Sequence, residues 1–184
     1  QVLARQAVTL DHLSRGRLVL GLGLGVDTSR ELSAFGEVTD ARARGEILDE
    51  AAELLCRFWS GEQVDHDGPH FTADGVTYRP GPFERDRVPL WFAARGEARR
   101  PVRRAARYDG LFPIEVDEEG LTSMLDVVRE ERGTLEGFDV AVVQPGLDPE
   151  RLDDLGVTWA MRSYGPDTPL DEILAATRAG PPPS

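Results

Sequence analysis

LDHLSRGRLVLGLGLG, residues 10–25, decides how the rest of the chain is read. Leu10 and Leu13 are three apart and share a helical face with Leu3 and Ala7, so residues 1–14 are expected to be a helix. Gly16 supplies the break, because glycine takes the left-handed conformation that ends a helix. Leu18, Val19, Leu20 and Leu22 follow as an apolar run with no polar alternation. Such a run suits a strand over residues 17–22, buried on both faces in a parallel sheet covered by helices. Gly21, Gly23 and Gly25 then alternate, leaving one face of the strand exit as bare backbone that a flat group can approach. A dinucleotide fold would need GxGxxG leading into a helix. Val26-Asp27-Thr28 follows instead, so that fingerprint fails.

Outward from this stretch, strand and helix patterns alternate. A short helical segment is expected over 28–36, and Asp40 caps a long helix over 40–60 carrying Ile47, Ala51, Leu54, Leu55 and Phe58. Residues 61–85 change character: Val64, Phe71, Val76 and Tyr78 stand among the turn signals Asp67-Gly68 and Asp74-Gly75, which predicts a small hairpin insertion. Strands are expected at 88–94, 111–116, 138–143 and 157–162, with helices at 95–108, 118–132, 149–155 and 170–178. Pro101 fits only in the first turn of its helix. The alternation implies a parallel sheet with right-handed crossovers, in one domain over residues 1–179 and a disordered tail at 180–184.

Composition narrows the class. The chain has 184 residues, 40% hydrophobic and 29% charged, with a net charge of −12. That charge argues against nucleic acid as a partner. No run of about 18 apolar residues predicts a membrane span. The start QVLARQAVTL has no secretion pattern, so the cytoplasm is the expected location. Cys56, the one cysteine, lies in an apolar helical pattern and reads as a small hydrophobe.

The stretch from Thr9 to Gly25 resembles a signature of the luciferase-like monooxygenase superfamily of flavin- and deazaflavin-dependent oxidoreductases. Thr9-Leu10-Asp11, Leu13-Ser14, Gly16-Arg17, Leu20-Gly21, Gly23 and Gly25 carry it. A second match runs through VPLWFAARGEARRPVRRAARYDGLFP, with Arg103-Arg104-Ala105-Ala106 and Asp109-Gly110 in place. Phe35-Gly36 and Arg44 fall where the family has FG and R. The resemblance implies part of a (β/α)8 TIM barrel: about five parallel strands, starting in the helix before the barrel's fourth strand. Three upstream strands are expected to lie outside this chain. Val19, Leu90 and Phe92 are then expected to line an open interior, and a second copy or the upstream segment to cover it. The 61–85 segment falls where the family carries a substrate-side loop.

In a barrel the chemistry sits at the carboxyl ends of the strands. Residues 21–27, 93–97 and 162–165 reach that end. The resemblance implies FMN or a deazaflavin coenzyme, with its phosphate at the 94–97 junction and its ring toward Gly23 and Gly25. The expected cofactor-binding residues are therefore Gly23, Gly25, Ala94, Arg95, Gly96, Glu97 and Arg99. A helix start at Gly96 would offer free N–H groups to an anion, and Arg95 with Arg99 or Arg100 would add charge. Arg103, Arg104 and Arg107 read as a solvated basic face.

Departures matter too. Deazaflavin-dependent dehydrogenases of the family place a glutamate directly after the glycine strand; Val26 stands there in this chain. No catalytic residue can be named, and Asp27, Glu31 and Asp117 have no visible general-base partner. His12 reads as structural. His66 and His70 are separated by Asp67-Gly68-Pro69, which does not align them, so no metal site is expected. The functional expectation is an oxidoreductase or monooxygenase acting on a small organic molecule. The alternative is a non-catalytic flavin-binding or oligomer-forming remnant.

Overall fold

The computed structural model describes residues 1–143 and 149–180. Helix α1 (Val2–Ser14) ends where expected, and Arg15 at φ 54° already turns left-handed before Gly16 at φ 75°. The paired N–H groups of Arg15 and Gly16 return to the carbonyls of His12 and Asp11, at 3.1 and 2.9 Å. Strand β1 (Leu20–Leu22) follows. The segment expected to be helical over 28–36 shrinks to one 3-10 turn, Ser33–Phe35. Asp27 sets that limit: its carboxylate accepts the N–H groups of Leu32 and Ser33 at 2.8 and 3.0 Å, and Gly36 stops the turn at φ 72°.

Helix α2 (Ala41–Trp59) starts where Asp40 accepts the Ala43 N–H at 2.8 Å. Leu54, Leu55 and Phe58 face the core, and the Trp59 indole donates to the Ala4 carbonyl at 3.1 Å, tying α2 to α1. The hairpin forms from β2 (Gln63–Asp67) and β3 (Thr72–Thr77), antiparallel. Asp67-Gly68 begins its turn. Asp74-Gly75 lies inside β3, where the register between Val64 and His66 slips and Gly75 takes φ 60°.

The remaining elements are β4 (Leu90–Arg95), α3 (Arg99–Ala106), β5 (Gly110–Ile114), α4 (Glu118–Arg132), β6 (Asp139–Val143), α5 (Pro149–Leu155), β7 (Trp159–Met161) and α6 (Leu170–Ala179). The five-stranded sheet runs β1-β4-β5-β6-β7 with every pairing parallel. Of the tail expected over 180–184, residues 181–184 lie outside the described residues. No helix among the described residues is long and apolar enough to cross a membrane.

The two faces of the sheet differ. Leu20, Leu22, Leu90, Phe92, Leu111 and Val140 pack into the helix-side core, where the Phe92 ring lies 4.9 Å from that of Tyr108. This corrects two expectations. The β1 run is covered by helices on one face only, and Leu90 and Phe92, 0% and 1% exposed, do not line the open interior. Register explains it: Gly21 pairs with Trp91 and Leu20 with Leu90, so the intervening parity carries Gly21, Gly23, Trp91, Ala93 and Phe112 on the other, open face.

The motif residues hold this frame. Asp11 is fully buried; it accepts the Phe83 N–H at 2.8 Å and pairs with Arg85, whose guanidinium also donates to the Leu18 carbonyl at 2.7 Å. His12 bonds the Gly81 carbonyl through Nε2 at 2.9 Å, a structural role as expected. Asp109 pairs with Arg87 and accepts the Leu90 N–H at 2.8 Å, which anchors the start of β4. Arg104 departs from the expected solvated face. It is 3% exposed, donates to the Gly45 carbonyl at 3.1 Å and pairs with Asp49, which also takes Arg107 and Arg100. Burial pushes the Asp49 carboxyl up, but the arginines outweigh it and hold the pKa below the usual value.

Candidate functional site

In a parallel sheet each strand presents its carboxyl end on the same side, and loops there are free to carry chemistry. β1 leaves the sheet there through Gly23, Leu24 and Gly25. Gly25 takes φ 67°, and a Cβ placed on Gly21 would meet nothing within 4 Å, so the open face of β1 is bare. Only at Gly23 would a Cβ meet a neighbour, the Ala93 methyl at 3.4 Å. Gly23 and Ala93 therefore form one smooth surface across two adjacent strands.

β4 ends beside it, but the chain does not pass straight into a helix. Arg95–Ala98 makes a turn, with Gly96 at φ 64° and open space where its side chain would be. α3 begins at Arg99, with Pro101 in its first turn. This corrects the expectation of a helix start at Gly96. The reason is that Gly96 sits in the left-handed region, which a helix start cannot use.

The expected contact residues are thus distributed unequally. Gly23, Gly25, Arg95, Gly96 and Glu97 border the open carboxyl end. Ala94 points the other way, into the helix-side core, and offers only its backbone. Arg95 and Arg99 already have partners: Arg95 reaches Glu115 at 3.2 Å, and Arg99 pairs with Glu130. Both pairs are solvent-exposed. Between the 96–99 turn and the start of α4 lies a cavity of about 1310 Å³. Glu97, Glu115, Asp117, Glu118 and Glu119 line it together with Arg99, the wrong sign for an anion. A phosphate at this end is therefore better served on the sheet side of the turn, near Arg95. The residues present fit a planar ring with an anionic arm: bare backbone for the first, a glycine turn beside an exposed arginine for the second.

Asp27 is accounted for by its capping bonds. Those backbone N–H groups of Ser33 and Leu32 lower its pKa, with Arg44 adding a smaller effect. Arg44 itself leaves Nε and Nη1 buried and without a hydrogen-bond partner. Val26, at the position of the family glutamate, is exposed and has no proton to give. The segment 162–165 also lies at this end, after β7.

Two other regions are removed from this end. The hairpin lies along α2: Glu50 accepts from His66 Nε2 at 2.8 Å and from the N–H groups of His70 and Phe71 at 3.1 and 3.0 Å, while Arg57 donates to His66 Nδ1 at 3.2 Å. α2 runs back toward the amino ends of the strands, so the hairpin is carried away from the Gly23–Gly25 exit rather than over it as a substrate-side loop. The His66 ring and the His70 backbone thus tie the hairpin to α2, and no group of three metal-ligating side chains occurs among the described residues. A second cavity, about 670 Å³, sits at the amino-end side and is lined by Cys56, Trp59, Arg79 and Arg87. Burial pushes the Cys56 thiol up, away from the thiolate form.

The sequence profile of luciferase-like monooxygenases matches residues 1–146. The chain belongs to the luciferase-like monooxygenase family. Solved structures agree on the fold. An F420-dependent secondary alcohol dehydrogenase, seen with an F420–acetone adduct, is 23% identical over 77% of this chain and 44% of its own, with a TM-score of 0.65. A monooxygenase from Streptomyces bottropensis is 25% identical over 84% of this chain and 49% of its own, with a TM-score of 0.64. A coenzyme F420-dependent tetrahydromethanopterin reductase from Methanopyrus kandleri is 17% identical over 77% and 45%, with a TM-score of 0.61. The chain spans a little under half the length of these structures. In this luciferase-like chain, the motif residues Asp11, Asp109 and Gly110 keep the frame, whereas Gly21, Gly23 and Gly25 shape the open end.

Sequence reasoning alone misses the tryptophans of the open face. Trp91 lies over Gly110, and Trp159 comes back from the edge strand to within 5.7 Å of it, ring centroid to centroid. The only signal is parity, since Trp91 is two residues before Ala93.

Proposed function

We propose that this chain forms one side of the site of a flavin- or deazaflavin-dependent oxidoreductase or monooxygenase acting on a small organic molecule. The observation that carries this reading is the bare face of Gly21, Gly23 and Gly25 beside Ala93, at the carboxyl end and next to the open turn at Gly96. Bound there, FMN or a deazaflavin would supply hydride transfer or oxygen activation. Gly23, Gly25 and the Ala93 methyl would support the ring and exclude water from its face. The backbone of Ala94–Glu97 would hold the phosphate. Arg95 would turn toward it from its exposed ion pair with Glu115, which holds it by only about 0–1 kcal/mol, whereas Arg99 stays in the acidic cavity with Glu130. Val26 cannot relay a proton, so proton handling falls to another group or to water.

Gly96→Asp sets a carboxylate where the phosphate would lie. It should weaken FMN or deazaflavin binding by about 1–3 kcal/mol, the scale of a buried polar group left unsatisfied. Arg103→Ala removes only an exposed pair with Glu131, 2.9 Å long, and should leave binding unchanged. Titration of both cofactors by fluorescence or calorimetry reads the difference. Equal losses in the two variants would place the phosphate elsewhere.

The reading also requires the open face and the outer edges of β1 and β7 to be covered, by a second copy or by an upstream segment. Light scattering across concentration tests this: a mass above that of one chain is expected for this chain alone, and a stable monomer at every concentration would leave only the upstream segment. Residues 1–179 act as one domain in this proposal, and a cytoplasmic location suits its single cysteine.

A further inference from the structure

Resting on the cofactor reading above, we propose that Trp159 is a positioning residue that forms the floor of the ring site. Across the sheet, one row of open-face residues runs Gly23, Ala93, Phe112, with Ala141 and Trp159 continuing it on the last two strands. Trp91 lies one step below Ala93 in the same strand. Trp159 belongs to β7, three strands away from β4 in the sheet order, yet its ring centroid is 5.7 Å from that of Trp91, with the planes tilted by 59°. Its indole therefore reaches across the open face of the sheet to Trp91, in the row just below Gly23 and Ala93.

Its orientation is held. The Trp159 Nε1 N–H donates to Asp139 at 3.1 Å, and the Thr158 hydroxyl donates to the same carboxylate oxygen at 3.0 Å. Even so, Trp159 remains 51% exposed, which leaves one side of a large aromatic surface free at the site. Trp91 provides an independent sign that something else belongs there. It is 9% exposed, and its Nε1 is buried with no hydrogen-bond partner. Buried polar groups are almost always satisfied in a complete site. A planar, electron-poor ring with polar edges meets both conditions: a face to stack on Trp159, and acceptor atoms at its rim for a nearby N–H.

The test uses FMN as the probe and the emission of bound FMN as the readout. An indole stacked on the ring quenches it by electron transfer, so FMN bound to the unaltered protein should emit several-fold less than free FMN. Trp159→Leu should raise the emission of bound FMN several-fold. Trp159→Tyr, which keeps an aromatic donor, should restore most of the quenching. Asp139→Asn should give an intermediate value by loosening the indole. Trp59 lies in the helix-side core, so Trp59→Phe should leave the emission as it is. FMN that binds but shows equal emission with and without Trp159 overturns the proposal alone. If neither FMN nor a deazaflavin binds the unaltered protein, the cofactor reading fails and this proposal with it; if only a deazaflavin binds, its own emission, read across the same variants, decides the proposal.

Discussion

Asp11→Ala should cost the protein about 3–5 kcal/mol of stability, the scale of breaking a buried ion pair by removing one partner. Asp11 is fully buried at the end of α1 and answers three donors from a segment more than seventy residues away. Without it, the Phe83 N–H loses its acceptor at 2.8 Å, and the Arg85 guanidinium stays beside the Leu18 carbonyl with no countercharge. The segment that leads from the hairpin into β4 would then lose its hold on the start of β1. Urea unfolding followed by circular dichroism measures the loss. Asp11→Asn, which keeps an acceptor for Phe83 but not the charge, should lose less. A loss under about 1 kcal/mol for the alanine variant would mean that the pair behaves as an exposed one.

Gly110→Ala should be the most damaging single methyl group in the sheet. A Cβ there would stand 2.5 Å from Trp91 Cδ1, 2.7 Å from Trp91 Nε1 and 2.9 Å from the Asp139 carbonyl oxygen. The indole can swing away, at the expense of its contact with Trp159, but the backbone oxygen cannot. Overpacking of this kind costs about 1–3 kcal/mol, and the involvement of backbone puts this site at the upper end. The displaced indole should also shift the tryptophan emission. Gly21→Ala is the internal comparison: its Cβ would meet nothing within 4 Å, so stability should change by no more than about 0.5 kcal/mol. Thermal unfolding of the two variants side by side gives the answer. Similar losses at both positions would mean that Trp91 does not lie over Gly110.

These two residues show how the family signature works in this chain. Asp11 and Gly110 belong to the two stretches that carry the resemblance, and both act on the frame rather than on a ligand. The glycines of β1 are the part of the signature left free for chemistry. That division is not visible in the motifs, because a buried aspartate in a lock and an aspartate in a site look alike in one dimension.

What the sequence determined by itself was the order of elements and their parallel arrangement. Hydrophobic spacing and glycine or aspartate boundaries are properties of near neighbours, so Asp40 and Asp117 cap α2 and α4 as local chemistry requires. The carboxyl end of the sheet, and with it the place of Gly23, Gly25 and Gly96, follows from that arrangement, but the turn at Gly96 in place of a helix start does not. Tertiary structure alone decided the parity of β4. A run such as VPLWFAA has no polar alternation, so nothing local says that Leu90 and Phe92 face the helices while Trp91 and Ala93 face the opening. Pairing with Gly21 decided it. The same holds for charge. Arg95 and Arg99 read as free cations in the chain, but their partners Glu115 and Glu130 are 20 and 31 residues away. Only the packing of β4 and β5 side by side, with α3 against α4, brings those carboxylates within reach.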